Sequence, residues 1–204
     1  IHDNTSGVLL YGNVYISNRE RNALFKGGAH GAMVNNLIFN PGRLAVHYNL
    51  WPKEWEGKPW QTGRLSLVGN LLLHGPSTEP NTAFFTQRGA GHLELFIADN
   101  LALDQRGRPV AALRDDSNGQ ATLSLLKEPD LPPGVRIRPG ARIWDELPPV
   151  VGARPWDRDA LDRLVLADLA ARRGRIIDSE TENALGFPPV QAAVRRPFDV
   201  EAWH

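Results

Sequence analysis

One arrangement recurs along the first 103 residues: a short apolar run, then a Gly-Asn, Asn-Asn or Asp-Asn pair, then a second apolar run. It occupies residues 8–16, 32–39, 65–73 and 93–103, and the second residue of each pair is Asn13, Asn36, Asn70 or Asn100. The steps from 13 to 36, 36 to 70 and 70 to 100 are 23, 34 and 30 residues. A repeat of roughly 20–50 residues is the signature of a solenoid or a propeller. The shortest step suits one turn of a parallel β-helix, and the longer ones suit turns that carry inserted loops. Each apolar run then reads as a strand buried against the turns on either side of it. Each Asn reads as a corner residue, tolerant of left-handed or bridge backbone, whose amide can bond its counterpart in the next turn. The alternative is a β-sandwich with Asn-Gly turns. Against it, the pairs sit inside the apolar runs and in/out alternation is weak.

The rest of the chain divides on composition. Residues 1–113 hold the repeats, with an insertion at 43–63 in which Trp51, Trp55 and Trp60 fall within ten residues. Such loops on a repeat scaffold commonly form the binding face. Residues 114–150 are punctuated by Pro129, Pro132, Pro133, Pro139, Pro148 and Pro149 and read as irregular chain along the solenoid, with a strand at 121–126. Residues 151–204 hold a helix over 155–174 and an extended tail. In that helix Leu161, Leu164, Val165 and Leu169 share a face, Asp157 and Asp159 open the segment, and Arg172, Arg173 and Gly174 close it.

Charge and cysteine content narrow the function. Lys plus Arg and Asp plus Glu are 23 each, so the net charge is zero, and the overall field expected of a nucleic-acid binder is missing. An anionic ligand must therefore meet a local cationic cluster. There is no Cys, hence no disulfide and no thiolate metal site. No apolar run is long enough to span a membrane.

The segment Asn18-Arg19-Glu20-Arg21-Asn22-Ala23-Leu24-Phe25-Lys26-Gly27-Gly28, followed by the Asn35-Asn36 turn, resembles the active-site strand of the pectate lyases. That family's pattern is roughly N-x-x-R-x-P-x-x-[KR]-G-G ahead of a paired-Asn turn, and Ala23 stands where it has Pro. Residues 152–159 and 174–179 resemble the end of bacterial members. The resemblance implies an all-β fold, a right-handed parallel β-helix closed by a C-terminal α-helix and an extended tail. It also implies calcium-assisted β-elimination of a uronic-acid polymer such as pectate, by a secreted or periplasmic enzyme. Arg21 falls at the family's catalytic Arg, and Lys26 at a basic residue that contacts the sugar carboxylate. The family's calcium ligands lie on turns before this strand. Here Asp3 is the sole acid before Glu20, so the metal ligands are expected upstream of Ile1, on turns from a longer or a second chain.

The residues suit that chemistry. Removing the proton at C5 of a uronate builds charge beside its carboxylate, and fixed cations stabilise it. A hard cation such as calcium suits carboxylate oxygens. Arg21 is the expected base, with Arg19 and Lys26 supplying local positive charge or a water relaying the proton. On a straight strand Arg21 and Lys26, five apart, would face opposite sides, so a bend near Ala23 is required. Further substrate contacts are expected from Arg19, His30, His47, Lys53, Trp55, Trp60 and Arg64: indoles on sugar faces, cations on carboxylates. The plainer readings are a solvated charged turn at 19–21 and Trp residues that merely anchor the loop. Two other functions compete, a non-catalytic polysaccharide-binding solenoid and a glycoside hydrolase on the same scaffold. The hydrolase would need paired carboxylates at the cleft, and Asp115-Asp116 reads as loop.

Overall fold

A computed structural model of the protein describes residues 1–182, 185 and 186. The apolar runs are β-strands, and a third strand separates each pair of runs from the next. The first turn of chain contributes β1 (Val8–Tyr11), β2 (Val14–Ile16) and β3 (Leu24–Lys26), and the second β4 (His30–Val34), β5 (Leu37–Phe39) and β6 (Val46–Leu50). The third contributes β7 (Gly63–Val68), β8 (Leu71–Leu73) and β9 (Phe85–Gly89), and the fourth β10 (Gly91–Ala98), β11 (Leu101–Leu103) and β12 (Leu113–Asp115). β13 (Ala121–Leu125) begins a fifth. Three parallel sheets result, ordered β1-β4-β7-β10-β13, β2-β5-β8-β11 and β3-β6-β9-β12. The chain thus visits the three sheets in the same order, turn after turn.

The asparagines stack at the corner between the first and second sheets. Asn13 donates to Asn36 Oδ1 from both its backbone N–H and its Nδ2, at 2.9 Å each. Asn36 does the same to Asn70, and Asn70 to Asn100. Spare amide hydrogens of Asn36, Asn70 and Asn100 reach the carbonyls of Leu10, Met33 and Leu67. The left-handed residue is not the ladder asparagine but the one before it: Gly12, Asn35, Gly69 and Asp99 have φ between 55° and 67°. At Gly69 the requirement is double, because a Cβ there would run into the Arg138 carbonyl of the covering chain.

Strand alternation places Phe25, Met33, Tyr48, Leu65, Leu67, Phe85 and Leu95 in one fully buried interior cluster, each such side chain contributing about 1.5–3 kcal/mol. The outer faces of two sheets are also covered. On the second sheet Leu37, Phe39, Leu71 and Leu73 pack beneath Ile143, Leu147 and Leu169, from α1 (Ile143–Glu146), the residue after it, and α2 (Ala160–Ala170). On the first sheet Ala32, Val34 and Val68 pack beneath Leu131 and Val135. That covering chain is held by Asp130 N–H to Ser66 Oγ (2.8 Å) and by Asn35 Nδ2 to the Arg138 carbonyl (2.7 Å). Strands covered on both sides must be apolar on both, which is why the sequence alternates so weakly.

Three sequence boundaries shift. The stretch 43–63 is not wholly insertion, because Val46–Leu50 is β6, and the loop proper runs 51–62. The stretch 114–150 is not irregular from its start: β12 crosses into it, and β13, at the expected position, adds a fifth strand to the first sheet. The helix is shorter than 155–174. It starts after Asp159, whose carboxylate accepts the Asp162 N–H at 2.8 Å, and ends at Ala170, with Arg172 left-handed at φ 51°. Most of the expected tail, 187–204, lies outside the described residues.

Candidate functional site

The third sheet differs from the other two. Its inward positions include Phe25, Tyr48 and Phe85 but also the buried amide Gln87; its outward ones are Leu24, Lys26, His47, Asn49, Thr86, Arg88 and Arg114, and among the described residues no apolar cluster covers them. This polar face, with the corner leading into β3, is where the family-like segment lies.

Arg21 occupies that corner with φ 67°, and the following Asn22–Ala23 peptide is cis. Asn22 is buried and pins the corner: its Nδ2 donates to the Leu44 carbonyl (3.1 Å) and its Oδ1 accepts from Asn18 Nδ2 (2.9 Å). The Arg21 side chain is two-thirds exposed, with its Nε 3.6 Å from Glu20 Oε1. Glu20 itself is clamped by Arg43 at 2.7 and 2.8 Å. Burial pushes the Glu20 carboxyl up, but the Arg43 hydrogen bond and charge outweigh it and hold the group below its usual range. The left-handed backbone at Arg21 supplies the required bend. Arg21 and Lys26 line one cavity of about 340 Å³ with Ile1, His2, Leu10, Tyr15, Ala23 and Leu24; Ile1, Leu10, Tyr15 and Ala23 pack with the interior cluster, so the cavity opens at the first-turn end of the coil, beside the outward face.

Lys26 is heavily engaged. Its ammonium is ion-paired with Glu54 and lies 3.4 Å from Asp3 Oδ2. The Glu54 hydrogen bond raises its pKa against the opposing effect of burial, with Asp3 adding to the rise. Asp3 also accepts from Trp55 Nε1 at 2.8 Å, and Trp55 is buried in the interior cluster. Trp55 thus anchors its loop and presents no face to a sugar. Trp60 and Lys53 of the same loop are exposed.

His47 is buried in β6 between Leu24 and Thr86 in register. Burial lowers its pKa to about 4; Glu20 opposes that, and the charges of Arg88 and Arg21 reinforce it. Among the described residues its Nδ1 has no hydrogen-bond partner. The imidazole is neutral at neutral pH and adds no charge to the face.

The remaining expected contacts lie elsewhere. His30 and Arg64 are in register on the first sheet, with His30 Nε2 3.2 Å from the Thr62 carbonyl and Arg64 paired with Glu94 at 2.6 Å. Arg19 turns towards the C-terminal segment and pairs with Asp178 at 3.1 Å. The structure thus brings Arg21, Lys26 and His47 to one face and leaves Arg19, His30 and Arg64 off it. Sequence reasoning missed Asn49 and Arg88. Lys26 and Asn49 each follow their ladder asparagine by 13 residues, a signal present in the sequence.

Among the described residues no three His, Cys, Asp or Glu side chains are grouped to hold a metal ion. Comparison with family models, curated proteins and solved structures finds no match to the chain.

Proposed function

We propose that this chain is the Arg-bearing part of a right-handed parallel β-helix polysaccharide lyase that cleaves a uronic-acid polymer, pectate or a close relative, by β-elimination. The observation that carries the reading is Arg21: a guanidinium held out at a left-handed corner, sharing a cavity with Lys26, inside the segment that resembles the pectate lyase strand. Right-handedness is the usual sense of crossovers between parallel strands.

In this reading Arg21 reacts as the neutral guanidine, since a guanidinium has no lone pair for a proton; it takes the C5 proton, directly or through one water, and becomes the guanidinium. The C5–H electrons become the C4=C5 double bond, the C4–O bond breaks, and the leaving glycosidic oxygen gains a proton. Lys26, exchanging Glu54 for the substrate carboxylate, offsets the charge that develops beside C5. Calcium enters through the resemblance. It takes six to eight oxygen ligands, and the residues described here do not form such a set, since Asp3 and Glu54 are held by Lys26. No step is routed through it.

The metal would come with a further turn, on this or a second chain. Support for one is that Asn13 Oδ1, unlike those of Asn36, Asn70 and Asn100, accepts no hydrogen bond from the described residues. A secreted or periplasmic setting belongs to the same proposal, because the polymer is extracellular.

A second reading, a polysaccharide-binding coil without catalysis, is favoured by the two acids on Lys26. A hydrolase is disfavoured, because no carboxylate lines the Arg21 cavity, and Asp116 is tied to Arg114 at 2.6 Å. Incubation with polygalacturonate and calcium separates them. Lyase action yields an unsaturated product absorbing in the near ultraviolet, and Arg21→Ala lowers its rate by about 100-fold or more. Absence of that product, or full activity in Arg21→Ala, would overturn the proposal.

A further inference from the structure

We infer that Arg88, Asn49 and Trp51 form a second subsite for an anionic sugar, displaced along the stacking direction from the unit at Arg21. The inference rests on the uronan reading above and adds to it a site of its own.

Lys26, Asn49 and Arg88 are in direct register on β3, β6 and β9. Their neighbours Phe25, Tyr48 and Gln87 are buried, so the three face outward together. Adjacent strands lie about 4.8 Å apart, which puts Arg88 roughly 10 Å from Lys26 along the stack. A polymer chain lying along this face would pass from Arg21 and Lys26 to Arg88.

Arg88 is set apart by being half-buried without a partner; among the described residues Arg106 and Arg136 also carry no ion pair, but both are exposed. Arg19, Arg43, Arg64 and Arg114 are each ion-paired to an acid. Arg88 is half-buried, yet among the described residues its guanidinium has no acid and no hydrogen-bonded carbonyl. None of its nitrogens is among the buried unpaired atoms, so the guanidinium reaches water and is open to an incoming carboxylate. The nearby acid, Asp116, is satisfied by Arg114 at 2.6 Å and does not quench it.

The space beside Arg88 has the right character. A cavity of about 370 Å³ is lined by Asn49, Trp51, Arg88, Gly89 and Asp116. Trp51 is 53% exposed, whereas Trp55 of the same loop is buried. An indole offers a flat apolar platform for a sugar ring. A guanidinium fork suits a carboxylate in bidentate fashion, and the Asn49 amide can meet hydroxyls from either end. The occupant is a uronate unit, and a neutral sugar would leave Arg88 unpaired.

The test is affinity electrophoresis and calorimetry with polygalacturonate, and with uncharged galactan as comparator, on the folded chain and its variants R88Q, R88K and W51A. Circular dichroism confirms that each variant is folded. Expected are a loss of polygalacturonate affinity of about tenfold or more in R88Q, a smaller loss in R88K, a loss in W51A, and no change in R88Q for galactan. R88Q binding polygalacturonate as tightly as wild type would overturn the subsite, and so would an equal loss for galactan. The two readings fail separately. Weakened binding in R88Q without unsaturated product removes the lyase and leaves the subsite, whereas product formation with unaltered R88Q binding does the reverse. A wild-type chain that binds no uronan overturns both.

Discussion

The side-chain oxygen of Asn70 accepts two hydrogen bonds from Asn36, one from the backbone N–H and one from Nδ2, each 2.9 Å long. Both residues are fully buried. Asn70→Leu would strip that acceptor from two buried donors and leave the Met33 carbonyl without its amide partner. The expected cost is roughly 2–4 kcal/mol, read as a drop in the urea midpoint. Asn13→Leu, at the half-buried end of the ladder, should cost clearly less. Equal losses would mean that the stacking is incidental.

His47 makes stability depend on pH with a definite sign. Its pKa is about 4 in the folded chain against 6.5 unfolded, so between those values the unfolded chain binds more protons. Stability is complete above about pH 6.5 and falls as the pH drops towards 4, by roughly 2 kcal/mol at pH 5 from this group alone. His74, also lowered by burial, acts in the same direction. Urea midpoints at pH 7 and pH 5 should differ less in His47→Gln than in wild type.

The tryptophans of the 51–62 loop should separate by role. Trp55 is buried and hydrogen-bonded to Asp3, so Trp55→Ala should cost about 3–5 kcal/mol. Trp60 is 52% exposed, and Trp60→Ala should stay within about 0.5 kcal/mol. Thermal or urea unfolding of the two variants checks the contrast.

Glu54 competes with any substrate carboxylate for Lys26. Glu54→Gln should therefore raise polygalacturonate affinity, by about threefold or more at low salt, and the gain should fade as salt is added. Unchanged or weaker binding in Glu54→Gln would place Lys26 outside the substrate path.

Much of this architecture was legible in the sequence, for a physical reason. A buried amide ladder demands an amide at every turn, so Asn13, Asn36, Asn70 and Asn100 mark the repeat however long the loops between them are. The third sheet has no such marker. Phe85–Gly89 carries Thr, Gln and Arg and follows its ladder residue at a different distance from Val46–Leu50, which hid Arg88 and drew β6 into the supposed insertion. At Arg21 the sequence reading required a bend, and the left-handed corner there supplies one. The neutralisation of Lys26 was not, because Asp3 and Glu54 reach it from 23 and 28 residues away, one on either side in sequence. Likewise, only the fold shows that His30 and Arg64 belong to the first sheet.

The most direct test of the lyase reading is mass spectrometry of the fragments released from polygalacturonate by the chain and by its Arg21→Ala variant. β-Elimination predicts fragments with one unsaturated end, each lighter by one water than its hydrolytic counterpart, and their near-complete loss in the variant. Saturated fragments alone, or the same unsaturated fragments in equal yield from Arg21→Ala, would contradict it.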